Sequence, residues 1–109
     1  MKSKLIAVWL FAAIVATATG QQVPDTGYSP VIKNPAYEQG LGPLVYIDEG
    51  HNNFHTRGDR YLPFARLVER DGYVTEGYAG QFEPERLKKC RILVISNALH
   101  ETNATRWHK

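Results

Sequence analysis

The sequence predicts an α/β domain built on a parallel sheet, and three observations carry that prediction. Two short uncharged apolar runs, Leu44-Val45-Tyr46-Ile47 and Ile92-Leu93-Val94-Ile95, read as strands buried on both faces, the pattern of parallel strands. Between them Tyr61, Phe64, Ala65 and Val68 recur at helical spacing, with Arg66, Glu69 and Arg70 on the other side. The resulting order is strand, helix, strand, short helix, strand, without internal repeat. Such alternation gives a parallel sheet joined by right-handed crossovers.

Each element has a local cause. Pro43 ends an irregular stretch, and the first strand runs to Ile47 before closing on Asp48-Glu49-Gly50. Asp59 is the expected N-cap of the first helix, and Pro63 is tolerated in a first turn whose amides have no partners to lose. Asp71-Gly72 stops that helix, since glycine takes the left-handed cap without steric cost. Tyr73-Val74-Thr75 is the second strand, and Glu76-Gly77-Tyr78-Ala79-Gly80 is read as a turn. Pro84 suits the first position of a short helix, Glu85 to Lys89. The third strand then runs from Ile92 to Ile95 and ends in Ser96-Asn97-Ala98. The most apolar strands, the first and the third, are the expected central pair in a flavodoxin-like 2-1-3 order. Ligands in such sheets sit beyond the carboxyl ends of the strands, where adjacent connections leave in opposite directions. The loops after Ile47 and Ile95 should therefore lie side by side.

Composition divides the 109 residues into three parts. Residues 1–20 have the form of a cleavable secretory signal: Met1-Lys2-Ser3-Lys4, then the uncharged run Leu5 to Ala16, then the small-x-small pattern Ala16-Thr17-Ala18. The run is shorter than the roughly 20 apolar residues a membrane span needs. The expected location is secreted or periplasmic, membrane-anchored only if the leader is retained. Lys2 and Lys4 account for the whole net charge of +2, and beyond Gly20 eleven basic residues face eleven acidic ones. A neutral mature chain without clustered aromatics argues against nucleic-acid binding. Residues 21–43, punctuated by Pro24, Pro30, Pro35 and Pro43, read as a linker lying across the surface of the domain formed by 44–109. The single cysteine, Cys90, excludes an intramolecular disulfide.

The densest polar cluster is Asp48-Glu49-Gly50-His51-Asn52-Asn53-Phe54-His55, faced by Ser96-Asn97-Ala98-Leu99-His100-Glu101. Three readings compete for it. Imidazole and carboxylate suit a metal ion, with His51, His55 and His100 joined by Asp48 or Glu49, although the helical HExxH pattern is absent. An acid or base role for Glu49 or His51 is chemically possible but has no nucleophile beside it. In the third reading Asp48, Asn52 and Asn53 bond the loop's own backbone, which is compatible with ligand binding. Gly50 would let the backbone turn or approach a ligand closely.

Other motifs carry less. Cys90, flanked by Lys88, Lys89 and Arg91, precedes the third strand, at the end of the sheet away from the crevice, and reads as structural. No Gly-x-Ser-x-Gly elbow and no Gly-rich phosphate loop follows a strand. Arg57-Gly58-Asp59 reads as a turn entering a helix rather than an adhesion tripeptide. Asn103-Ala104-Thr105 fits the glycosylation sequon, a short pattern frequent by chance.

The strings Asp48 to Thr56, Tyr61 to Leu67, Asp71-Gly72-Tyr73 and Leu93 to Leu99 together resemble the opening of a bacterial, often exported domain of unknown function. That domain is grouped with class I glutamine amidotransferase-like folds, and His51-Asn52-Asn53-Phe54-His55 is the most specific part of the likeness. The resemblance spans roughly Leu44 to Glu101. It implies a flavodoxin-like, class I glutamine amidotransferase-like parallel sheet with a ligand crevice at the two loops, and it brings no established reaction. In that fold the nucleophile and its His/Glu partners come from later strands, so the chain is expected to be an incomplete front portion of three strands and two helices. The first functional reading is an exported protein that binds a small molecule or a protein partner without amidotransferase chemistry. Its binding residues are Asp48, Glu49, His51, Asn52, His55 and Asn97. No cofactor, catalytic residue or metal is assigned. The alternatives are a hydrolase or metal-dependent enzyme, with Glu49 as base and His51 and His55 as ligands, or a non-functional remnant too small to stay folded.

Overall fold

The computed structural model describes residues 23–104. The signal-like leader, its cleavage positions and the chain end after Ala104, with Thr105 of the sequon, lie outside them. The order is β1 (Leu44–Asp48), α1 (Leu62–Arg70), β2 (Val74–Tyr78), α2 (Pro84–Leu87) and β3 (Ile92–Val94), followed by a short 3-10 turn, Glu101–Asn103. The three strands form one parallel sheet in the order β2-β1-β3, the flavodoxin-like arrangement expected from the apolar runs. Among the described residues no helix is long and apolar enough to cross a membrane.

Strand alternation sends successive side chains to opposite faces, and the two helices sit on different ones. On the first face Thr75 of β2 donates its hydroxyl to Glu69 of α1. On the other, Arg86 of α2 lies 3.8 Å from the ring centroid of Tyr78 and 5.5 Å from that of Tyr46. Tyr46 and Tyr78 meet edge to face at 5.0 Å. The buried apolar core is Val45, Tyr46, Ile47, Ala65 and Tyr78, centred on β1. A central strand covered on both faces explains why Leu44-Val45-Tyr46-Ile47 is apolar without alternation.

Five sequence expectations are corrected. The second strand is Val74–Tyr78 and not Tyr73–Thr75, because parallel pairing with all five β1 residues overrides the glycine, with Gly77 opposite Ile47. An added Cβ on Gly77 would meet the Glu49 carboxylate at 2.7 Å, so the missing side chain makes room for Glu49. Asp59 is not the N-cap of α1: Tyr61 occupies that position without a side-chain cap, and Asp59 sits one turn earlier, its carbonyl accepting from Leu62 N at 2.9 Å. The helix buries Ala65, whereas Phe64 is exposed and Glu69, expected outside, turns toward β2. The third strand is an edge rather than a doubly buried strand: Ile92 is 43% and Ile95 54% exposed. The short helix also ends earlier, at Leu87.

Residues 23–43 lie along the carboxyl end of α1. Ala36 N donates to the Asp71 carboxylate at 2.7 Å, Tyr37 N to Asp71 O at 3.1 Å and Gly42 N to Gly72 O at 2.8 Å. Tyr37 and Tyr73 pack edge to face at 5.1 Å. Gly72, at φ +96°, has no room for a side chain, since a Cβ there would overlap the Tyr37 backbone. Cys90 is half-buried at the amino end of β3, its thiol donating to Leu87 O at 3.2 Å.

Candidate functional site

Four hydrogen bonds join residues 51–55, after β1, to the loop after β3. Leu99 N donates to His51 O at 2.9 Å, Asn52 Nδ2 to Leu99 O at 3.2 Å, and Asn53 Nδ2 to Ser96 O at 2.9 Å. The fourth links Asn97 Nδ2 to Nδ1 of His55. Asn52 and Asn97 both adopt left-handed backbone, at φ 52° and 45°. Asparagine tolerates that region better than other side chains, which is why an Asn stands at each turn.

Asp48 organises the first loop. It is the last residue of β1 and is completely buried. Its carboxylate accepts from Gly50 N at 3.1 Å, from Asn53 Nδ2 at 3.0 Å, and from Nδ1 of His51, 2.9 Å from each oxygen. A carboxylate oxygen offers only acceptor capacity here, so His51 Nδ1 is the donor and carries the hydrogen. On the neutral ring His51 Nε2 then keeps its lone pair, on a side chain that is 35% exposed. Phe82, from the turn between β2 and α2, supports the ring at 4.5 Å between centroids.

His55 has the opposite polarity. The Asn97 amide donates to its Nδ1, so its hydrogen lies on Nε2. Its ring rests against Tyr61 at 5.1 Å and Phe54 at 5.3 Å. Tyr61 in turn accepts from the hydroxyl of buried Ser96 at 2.8 Å. The two histidines thus offer one acceptor and one donor.

Of the six residues read from sequence as ligand contacts, His51, Asn52, His55 and Asn97 belong to the joined loops. Asp48 is wholly internal and reaches the joined loops through His51 and Asn53. Glu49 points elsewhere: one residue along the strand, it falls on the α1 face, accepts from Arg57 N at 2.8 Å and lies over Gly77. Gly50 lies against the Gly80 backbone, where an added Cβ would overlap the Gly80 carbonyl oxygen. His100 is spent on the 3-10 turn, its Nδ1 accepting from Thr102 N at 3.3 Å. No group of three or more His, Cys, Asp or Glu side chains is arranged to hold a metal ion among the described residues. Sequence reasoning missed Tyr61, read as a helix-face residue, and Phe82, which sits in a Gly- and Pro-rich turn without periodicity. Asn53 stood in the polar cluster but was not singled out as a contact. Compared with protein-family models, with curated proteins and with solved structures, the chain matches none, so the reading of this site rests on its own geometry.

Proposed function

We propose that the chain is an exported protein, carrying part of an amidotransferase-like α/β domain, that binds a small polar molecule or a polar group of a partner at the crevice between the β1 and β3 loops. The observation that carries the reading is the Asp48–His51 contact: a buried carboxylate fixes which ring nitrogen of a half-exposed histidine is offered outward. Such second-layer orientation is what recognition and acid-base sites need from a histidine. The opposite polarity of His55 favours a ligand with both a donor and an acceptor, such as an amide or a hydroxyl-bearing molecule. No amidotransferase step is assigned.

The test is ligand-observed NMR of the full chain against a library of small amides, amino acids and polyols, repeated with His51→Ala and His55→Ala. A compound that binds the natural chain and is lost in either variant supports the reading. Binding unchanged in both, or no binder in the library, overturns it.

A second reading, a general base acting on water or substrate, is favoured by the same Asp48–His51 distance, which is that of a base and its orienting partner. The hydroxyl of Ser96 is committed to Tyr61. A base-catalysed reaction here would therefore use water or a substrate hydroxyl as nucleophile. Hydrolysis of a library ester or amide, abolished in His51→Ala, would favour it over simple binding.

A further inference from the structure

A concave site lies at the carboxyl end of α1, away from the loops after β1 and β3. A cleft of about 460 Å³ opens between residues 28–39 and the last two turns of the helix, lined by Tyr28, Ser29, Gln39, Arg66, Glu69 and Arg70. Arg66 and Arg70 are four residues apart and so share a helix face. Neither forms an ion pair with a carboxylate among the described residues. Arg66 donates through Nη1 to the carbonyls of Thr26 and Tyr28, and Arg70 through Nη2 to Ser29 Oγ at 3.2 Å. Each guanidinium has five N–H donors, so both keep several uncommitted. The acid in the cleft, Glu69, is neutralised by Arg57 and bonded by Thr75, and its carbonyl accepts from Gln39 Nε2 at 2.8 Å. A cation at a helix carboxyl end complements the helix dipole, which accounts for Arg70 alone. It does not account for two like charges on one face around a cleft whose one acid, Glu69, is already paired with Arg57.

We propose that this cleft binds a small oxyanion, a phosphate or carboxylate group, held in the fork of Arg66 and Arg70 with Ser29, Tyr28 and Gln39 as neutral neighbours. Planar guanidinium forks match such groups with paired hydrogen bonds, and the bound anion relieves the repulsion between the two arginines. Because Arg66 also ties down Thr26 and Tyr28, anion binding is coupled to the seating of residues 23–43 on the domain.

The experiment titrates inorganic phosphate, and separately acetate, into the full chain at constant ionic strength while the Arg side-chain and Ser29 backbone resonances are followed. Saturable shifts at Arg66, Arg70 and Ser29 are expected, with Arg86 and Arg91 unmoved. Whether phosphate or acetate saturates at lower concentration identifies the group. Arg70→Gln should weaken binding at least about tenfold, the loss of one charged fork. Arg91→Gln, which removes a charge outside the cleft, should bind as tightly as the natural chain. Shifts that do not saturate, shifts shared by Arg86 and Arg91, or equal losses in Arg70→Gln and Arg91→Gln would each overturn the proposal. The last would show that net charge, rather than the Arg66–Arg70 fork, carries the response.

Discussion

Both carboxylate oxygens of Asp48 lie 2.9 Å from Nδ1 of His51, and the aspartate is completely buried while the histidine is not. The carboxylate also takes a hydrogen from Gly50 N on Oδ1 and one from Asn53 Nδ2 on Oδ2, so Asp48→Asn turns an amide NH2 toward one of those donors and leaves it unmet. The bond from His51 Nδ1 loses its charged acceptor. The expected cost is about 2 kcal/mol, in the range for hydrogen bonds to a charged group, read by urea unfolding. Nitrogen-15 spectra of the His51 ring should show a larger share of the Nε2–H tautomer than in the natural chain; an unchanged tautomer ratio in a folded Asp48→Asn protein would contradict the role given to Asp48.

Gly50 and Gly58 make a matched pair for the loop after β1. A Cβ on Gly50 would overlap the carbonyl oxygen of Gly80 and stand 2.7 Å from its nitrogen, both rigid backbone, whereas one on Gly58 meets nothing within 4 Å. Gly50→Ala should destabilise by about 2–3 kcal/mol as an overpacking substitution. Gly58→Ala removes freedom from the unfolded chain and should leave stability unchanged or raise it by about 0.5 kcal/mol. Parallel thermal melts check both, and equal effects would refute the close approach of the β1 and β2 loops.

How much of this was legible in the sequence follows from what each residue's signal depends on. Leu44 to Ile47 announced a central strand because burial on both faces removes alternation, and the strand order followed from which runs were most apolar. The extent of β2 was hidden, since Gly77 reads as a turn until its pairing with Ile47 and the Glu49 carboxylate above it are known. Ile92 to Ile95 looked like a second buried strand, yet a run of isoleucine and valine cannot reveal whether a neighbouring strand covers its outer edge. In the site, adjacency in sequence suggested that Asp48 and Glu49 act together; strand alternation sends them to opposite faces. The roles of Asn53 and Tyr61 in joining the loops escaped because their shared partner, Ser96, is brought near only by the fold.

Arg57, Glu69 and Thr75 form a closed ring of hydrogen bonds: Arg57 Nε donates to Thr75 Oγ1 at 2.7 Å, Thr75 donates to Glu69, and Arg57 also pairs with Glu69. Thr75 is buried, while the two charged side chains are about one-third exposed. Thr75→Val keeps the shape and breaks the ring, and should cost about 1–2 kcal/mol through the unmet bonds. Because all three residues share partners, Thr75→Val and Glu69→Gln should be non-additive by at least about 0.5 kcal/mol in a double-mutant cycle. Strict additivity would mean that Glu69 and Thr75 stabilise the α1 face independently.

Ile47 and Ile95 carry the same side chain at the ends of adjacent apolar runs, with opposite surroundings: Ile47 is completely buried at the centre of the sheet and Ile95 is 54% exposed just past the β3 edge. Removing one methylene at Ile47 leaves a void that β2, β3 and the α1 face cannot collapse to fill, so Ile47→Val should cost about 1 kcal/mol and Ile47→Ala about 3–4 kcal/mol. At Ile95 the lost group is already half hydrated, and Ile95→Val and Ile95→Ala should both stay within about 0.5 kcal/mol of the natural chain, as surface changes do. Urea unfolding of the four variants measures the contrast directly. A core-sized cost at Ile95 would mean that the outer edge of β3 is covered in solution, by a second copy or by another segment, and that the sheet has a fourth neighbour on that side.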